Sequence, residues 1–122
     1  MSVLPSTVFI GEVYGLITGD TPHLALYTSN PGAGNTGTEV AGGSYARKPI
    51  TFGAISGSTI SNSAALTFSN MPTSTVTHWG ILDALTGGNL KIYGALDGTV
   101  GSVTGDEIIF PIGNLTINLA GN

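Results

Sequence analysis

The chain has 122 residues, no cysteine, seven acidic and three basic residues, and a formal net charge of −4. A chain of this length fits one domain, which buries about two-thirds of its unfolded surface. The lack of cysteine excludes disulfide scaffolds, thiolate metal sites and cysteine nucleophiles, and three basic residues are too few for a cluster of phosphate contacts, so we expect no nucleic-acid binding.

Charged residues make up only 8% of the sequence, against about 25% in an ordinary soluble domain. Surface charge normally keeps soluble proteins apart from one another. Two interpretations are open: a β-sandwich with a neutral surface of Ser, Thr and Asn, or a protein whose surface lies largely against other subunits. No apolar run is close to the length of about 20 residues that a membrane span needs, so we expect no membrane span. The N-terminus lacks the basic region of a signal peptide, so we expect no signal peptide either.

The N-terminal segment, residues 1–21, is predicted to be a short helix or a bent extended arm. Ser6 is a suitable N-cap for the helix. An apolar stripe would follow on one helix face: Val13, Leu16 and Ile17. Two glycines in the segment each disfavour the helix by about 1 kcal/mol relative to Ala, so the extended arm stays open as an alternative.

The first predicted strand covers residues 23–28. It carries apolar side chains on both faces, Leu24 and Leu26 on one and Ala25 and Tyr27 on the other. A strand that is apolar on both sides is expected to be covered on both sides.

A long loop, residues 31–43, is rich in Gly, Asn and Thr. Gly32 to Gly37 match the pattern G-x-G-x-x-G. A dinucleotide site also needs a helix N-terminus at this point, and the residues at 38–43 do not favour a helix. We therefore expect a flexible surface loop, which suits docking onto a partner.

Residues 45–52 resemble a strand that Pro49 confines to a sheet edge or a bulge. Residues 57–68 are predicted to lead through a polar hairpin into a strand. The run Asn70–Pro72 then turns the chain into the predicted central strand.

The segment with this strand, residues 75–96, is predicted to form a central hairpin around Gly87-Gly88, because glycine supplies the positive φ of a tight turn. Its first strand carries Trp79, which we assign to the core. Apolar side chains fall on both faces of this strand: Val76 and Leu82 on one, Trp79 and Ile81 on the other.

The remaining sequence predicts another turn at Asp97-Gly98, a strand at 108–110 that Pro111 ends, and an alternating strand at 115–119. About seven or eight short antiparallel strands, spaced by about 8–12 residues, indicate an all-β fold. We expect a β-sandwich of jelly-roll type, within one domain over residues 1–122 whose β core is residues 22–119.

Catalytic and metal-binding patterns are weak. His23 and His78 each lie in a predicted strand, and no serine stands in a nucleophile elbow, so structural histidines are the better interpretation. The aspartates near turns lack the spacing of a calcium loop. We therefore expect no enzyme activity, no cofactor and no bound metal. The one basic pair, Arg47-Lys48, lies either at a solvated edge or opposite an acid such as Glu39 of an adjacent subunit.

Four blocks of the sequence resemble a family of small bacteriophage virion proteins, described variously as capsid cement or decoration proteins, head fibres or minor tail proteins. The blocks are residues 23–31, 38–47, 76–84 and 87–90, in matching order and spacing. The segment before His23 departs most from the family.

The resemblance implies a jelly-roll β-sandwich that is usually trimeric and lies outside a phage shell or tail, with no activity or cofactor. Our first hypothesis is a homotrimeric capsid cement protein on the outer surface of the virion, bound to the major capsid protein. The alternative is a minor tail or fibre protein that binds a receptor or glycan. The candidate contact residues come from the N-terminal segment, the long loop and the basic pair: Val8, Phe9, Asn35, Thr36, Glu39, Tyr45 and Arg47.

Overall fold

The structure of the protein, a computed structural model, describes residues 6–19 and 22–118, without the side chains of Thr7, Phe9 and Ile10. The outer limits of the predicted domain, the boundary at residue 21 and Leu119 of the last predicted strand lie outside the described residues. Helix α1 spans Thr7–Thr18. The strands that follow are β1 His23–Tyr27, β2 Lys48–Pro49, β3 Thr59–Ser61, β4 Leu66–Met71, β5 Ser74–Leu82, β6 Leu90–Ser102, β7 Asp106–Phe110 and β8 Thr116–Asn118.

The strands form antiparallel sheets, which confirms the predicted all-β class with one short helix. The largest sheet has four strands in the order β2-β1-β5-β6, and the pairs β3-β8 and β4-β7 form two smaller sheets. Strand β5 is therefore an interior strand, as its apolar sequence predicted. The jelly-roll arrangement of these sheets stays a prediction.

Helix α1 confirms the helical interpretation of the N-terminal segment and replaces the extended arm. Ser6 directly precedes it. The helix contacts the core through Tyr14 and Ile17, which are buried, whereas Leu16 is 68% exposed. The predicted stripe was wrong in Leu16, because burial of the large Tyr14 side chain turns Leu16 outward. Within the described residues, no helix is long and apolar enough to cross a membrane.

Strand β1 is buried on both faces, as predicted. Leu24 and Leu26 belong to the main core cluster. Ala25 and Tyr27 pack with Leu82 in a smaller cluster on the opposite side. The four-stranded sheet is therefore covered on both sides where β1 pairs with β5.

Strand β5 places Trp79 in the core, as predicted, with 9% of its surface exposed. The register between β5 and β6 shifts between Val76 and His78. This irregularity interrupts the alternation of side chains, so Val76 joins Trp79 in the main cluster and Leu82 lies in the smaller one. The prediction that Val76 and Leu82 share a face was therefore wrong.

The predicted hairpin joins β5 to β6, and both turn glycines have positive φ, 63° at Gly87 and 76° at Gly88. The second predicted turn, at Asp97-Gly98, was wrong, because β6 continues through these residues. The pairs His78–Ala95 and Val76–Val100 show why. Between these two pairs the chain advances by five residues along β6 but by only two along β5. Asp97-Gly98 therefore forms a bulge in one long strand rather than a reversal of the chain.

The predicted strand over residues 45–52 shortens to Lys48–Pro49, which lies at the edge of the large sheet. A proline there removes a donor that an interior strand would need. The predicted segment 57–68 divides into β3 and β4. Strand β4 continues through Asn70, which adopts a positive φ of 51° beside the irregular pairing of β4 with β7.

Candidate functional site

The loop of residues 31–47 folds back along the end of β1. Tyr27 forms an isolated bridge with Glu39, Thr28 N donates to Thr38 O over 2.9 Å, and Val40 N donates to Leu26 O over 2.9 Å. The loop backbone is thus fixed to the sheet at its centre. In the described part of the chain no helix opens after Gly32–Gly37, so the dinucleotide-binding context is missing.

Three of the predicted contact residues form one hydrogen-bonded network in this loop. Arg47 Nη2 lies 2.9 Å from Glu39 Oε1, and Arg47 Nε donates to Glu39 Oε2 over 3.0 Å. The Tyr45 hydroxyl donates to the same Oε2 over 2.7 Å and accepts a bond from Leu26 N over 3.0 Å. A two-pronged guanidinium–carboxylate pair of this kind fixes geometry as well as charge.

Arg47 also connects the loop to the central hairpin. Its Nη1 donates to Ala84 O over 3.0 Å and to Gly87 O over 2.7 Å. Only 9% of the Arg47 side chain is exposed, against 26% for Glu39. Arg47 therefore joins the long loop, its own segment and the β5–β6 turn, and it pairs with an acid of its own chain rather than of an adjacent subunit.

Burial controls the titration of the two tyrosines in this region. It raises the pKa of the Tyr45 phenol far above its ordinary value, and the hydrogen bond to Glu39 raises it further. Burial, followed by the Glu39 charge, also raises the pKa of Tyr27. The hydrogen bond to Glu39 raises the pKa of Arg47. The tyrosines stay neutral and Arg47 stays charged at neutral pH, so this network is suited to holding segments together.

The other predicted contact residues lie at the margin of the network or away from it. Asn35 Oδ1 accepts a bond from the Tyr27 hydroxyl over 2.8 Å. Thr36 is exposed in the loop. Val8 is 71% exposed on α1, and the Phe9 side chain lies outside the described part. The structure thus places Asn35 beside the network and leaves Val8 on a separate surface.

A shallow groove of about 480 Å³ borders the network, between the loop and the hairpin turn. Glu39, Tyr45 and Arg47 lie on one side, and Leu85 and Thr86 lie on the other. Leu85 is 51% exposed. The groove therefore combines a fixed polar wall with one apolar side chain.

A second groove of about 570 Å³ lies between the middle of β6 and strand β7. Its polar lining includes Asp97, Glu107 and Asn114, and Trp79 lies in its apolar part. Gly94 lets the indole pack against β6, since a Cβ at residue 94 would lie 2.8 Å from Trp79 Cζ2. Sequence reasoning missed this groove, because Asp97-Gly98 was interpreted as a turn and because the lining residues are distant in sequence.

The histidines do not converge on a common site. His23 pairs with Leu82 and His78 pairs with Tyr27, at opposite ends of the β1–β5 ladder. His78 Nδ1 lies 2.7 Å from the Thr77 hydroxyl. Among residues 6–19 and 22–118, no three side chains of His, Asp or Glu form a group that could hold a metal ion.

Comparison with known proteins identifies a family. No curated protein matches the chain. Residues 15–118 match the family described as Podophage GP4 fiber I protein gp80. The matched range covers most of the chain and includes the loop network, the central hairpin and the groove between β6 and β7. The chain therefore belongs to the Podophage GP4 fiber I protein gp80 family, and it is a small structural protein of a phage virion.

Proposed function

We propose that this protein is a non-enzymatic fibre subunit that assembles into a homotrimer on the outside of the phage particle. The observation that carries the proposal is the family match over residues 15–118. The family match favours the fibre role over the capsid cement role, which was our first hypothesis from the sequence.

Exposed apolar side chains support self-assembly. The most exposed are Val8 at 71%, Leu16 and Ile112 at 68% each, and Val103 at 60%. With charged residues at only 8% of the sequence, little charge is available to keep copies apart. Closed cyclic assembly covers apolar surface that a monomer would leave in water.

We assign the N-terminal helix α1 to the contacts that hold the trimer together or attach it to the phage particle. Tyr14 and Ile17 fix α1 to the core, and Val8 and Leu16 remain on its exposed surface. Gly11 and Gly15 have open space at their missing Cβ positions. Close packing within the described chain therefore does not require glycine at either position, although each glycine weakens the helix by about 1 kcal/mol relative to Ala.

Light scattering of the purified protein at micromolar concentration tests the assembly. We expect a trimer, and a monomer would refute it. The double variant V8Q/L16Q should weaken the trimer or its binding to particles without changing the circular dichroism spectrum. I55Q, which changes a 43% exposed apolar side chain outside the helix, is the matched control.

The position on the virion is decided by cryo-electron microscopy of intact particles. We expect density for the protein as projections from the particle. Capsid cement is the second candidate, since a charge-poor trimer also suits a position between capsomers, bound to the major capsid protein. Density that lies flat over the contacts between coat-protein subunits would favour the cement role. Particles that show neither projecting nor flat density for this protein would refute both roles.

We expect the three sheets of each subunit to close as a jelly-roll sandwich.

A further inference from the structure

We propose that the groove between β6 and β7 binds a neutral oligosaccharide. The groove is formed by one end strand of the large sheet and by β7, which pairs only with β4 in the described sheets. Its volume of about 570 Å³ falls within the range of about 300–1,000 Å³ that is usual for ligand pockets. This inference rests on the proposed fibre function, and it adds a ligand class and a site.

The first observation is an indole N–H without an acceptor. Trp79 is about nine-tenths buried and lines the groove. Its Nε1 donates to no atom of the described residues, yet no fully buried side-chain nitrogen or oxygen of those residues lacks a partner. Nε1 is therefore not sealed in the core. A buried indole N–H usually finds an acceptor, and Trp79 is one of the residues that line the groove.

The second observation is a set of polar side chains with free hydrogen-bonding capacity on the walls. Asp97 and Glu107 are exposed, and within the described residues neither side chain has an ion-pair or hydrogen-bond partner. The Asn114 amide lines the same groove and is also unbonded there. Two carboxylates accept bonds, the indole donates one, and the amide does both.

The third observation is apolar surface between these polar groups. Ile109 is 53% exposed at the groove, and Leu96 and Val100 are partly buried there. Gly98 and Gly101 have open space at their missing Cβ positions. No other atom of the described chain therefore occupies the groove beside these two residues of β6. A sugar ring has hydroxyl groups around its edge and C–H groups on its faces, which matches polar walls around apolar side chains.

Charge selects among sugars. Asp97 and Glu107 bring two formal negative charges to the groove, and none of the described residues that line it is basic. Carboxylates accept bonds from sugar hydroxyls but repel carboxylate, sulfate or phosphate groups. The groove therefore favours a neutral glycan over a sialylated or phosphorylated one.

The same carboxylates argue against a second copy of the chain as the occupant. A contact between copies would remove two charges from water, and without a basic group of the other copy opposite them this is costly. Charged residues are also depleted at the centres of protein interfaces. The groove is thus expected to stay open in the assembled trimer.

The test uses the full-length assembled protein and Trp79, the only tryptophan of the chain. The probes are a printed array of neutral and sialylated glycans, followed by fluorescence titration with the neutral glycans that bind. Lactose and 3′-sialyllactose form a pair that differs in charge. We expect binding to neutral members, a change in Trp79 emission, and weaker binding of the sialylated partner.

Two conservative variants, D97N and E107Q, remove the wall charges without changing side-chain size. Each should weaken binding about tenfold, because a hydrogen bond to a charged carboxylate becomes a weaker one to a neutral amide oxygen. E12Q is the matched control, since Glu12 is exposed on α1 away from the groove, and it should bind as the unchanged protein does.

Three results would overturn the inference: no neutral glycan on the array bound, binding unaffected by D97N and E107Q, or binding of anionic glycans only. A change in Trp79 emission on trimer formation, without glycan binding, would instead assign the groove to a subunit contact. The oligomeric state and the presence on particles are measured on the same samples. A trimer on the virion that binds no glycan refutes the groove and leaves the fibre function standing, whereas a monomer absent from the virion refutes the fibre function.

Discussion

Removal of the Arg47 guanidinium should loosen the connection between the long loop and the central hairpin. The variant R47M keeps most of the apolar stem and removes four hydrogen bonds. Two of these go to Glu39, and the others go to Ala84 O and Gly87 O. The variant leaves a partly buried carboxylate without its cation and two carbonyl groups without this donor.

The structure limits the size of the effect. Breaking a fully buried ion pair costs about 3–5 kcal/mol, whereas an exposed pair contributes about 0–1 kcal/mol. Arg47 is 9% exposed, but Glu39 is 26% exposed, so water can partly solvate the abandoned carboxylate. We expect R47M to lower the free energy of unfolding by about 2–3 kcal/mol. R47K keeps the charge without the planar fork and should cost about 1–2 kcal/mol.

The assay is urea unfolding followed by tryptophan fluorescence at one fixed protein concentration, because assembly makes stability depend on concentration. A double-mutant cycle with E39Q separates the pair from the other contacts, and its coupling energy should be about 1–2 kcal/mol. K48M is the matched control. Lys48 neighbours Arg47 but has no ion pair among the described residues, so its loss should change stability by less than about 0.5 kcal/mol.

A cost below about 0.5 kcal/mol for R47M would refute the reasoning, because the network would then behave as an ordinary surface ion pair. A large cost for R47M with no coupling to Glu39 would assign the effect to the two carbonyl contacts instead. Each result has a separate structural meaning, so the cycle tests the network rather than the residue alone.

Three further predictions concern other parts of the fold. Y14F removes a hydroxyl whose one hydrogen is shared between Ser58 O and Ile117 O, at 2.5 and 2.8 Å. It should cost about 1–3 kcal/mol and increase amide hydrogen exchange in α1 more than in β5. W79A should cost about 3–5 kcal/mol in urea unfolding followed by circular dichroism, because it empties a large core site. The backbone N–H of Asn89 lowers the pKa of Asp83, so this carboxylate stabilises the fold above its unfolded pKa of about 4 and loses that contribution as pH falls through the lower folded value. Acid unfolding should therefore show a smaller loss of stability below about pH 4 in D83N than in the unchanged protein, and equal losses would contradict the assignment.

The sequence predicted those strands whose apolar pattern and turn chemistry agree. Strand β1 showed apolar residues on both faces, and the β5–β6 hairpin showed paired glycines, which have positive φ in the structure. Where two local signals competed, tertiary pairing decided. Asp97-Gly98 favours a turn by itself, but β6 continues along β5 and takes up the extra residues as a bulge. The same irregularity reversed the face of Val76.

The candidate site was predicted less completely. The sequence indicated Glu39, Tyr45 and Arg47 as contact residues, and the structure brings them together, but as a network within one chain. The groove between β6 and β7 was missed because its walls come from segments distant in sequence. Trp79, Asp97 and Glu107 are separated by 18 and 10 positions, and no local pattern shows that they share a surface.

The distribution of charge separates the two proposed roles in space. The Arg47–Glu39 pair and the Lys91–Asp83 contact, at 4.0 Å, lie at the hairpin end of the sheet, where charges have partners within the chain. Asp97 and Glu107 have no such partner within residues 6–19 and 22–118, and they line a groove instead. A charge-poor surface favours burial against other copies, but two unpaired carboxylates oppose it locally. Assembly and ligand binding should therefore use different surfaces, so V8Q/L16Q should change the oligomeric state without weakening glycan binding per subunit, and E107Q should do the reverse.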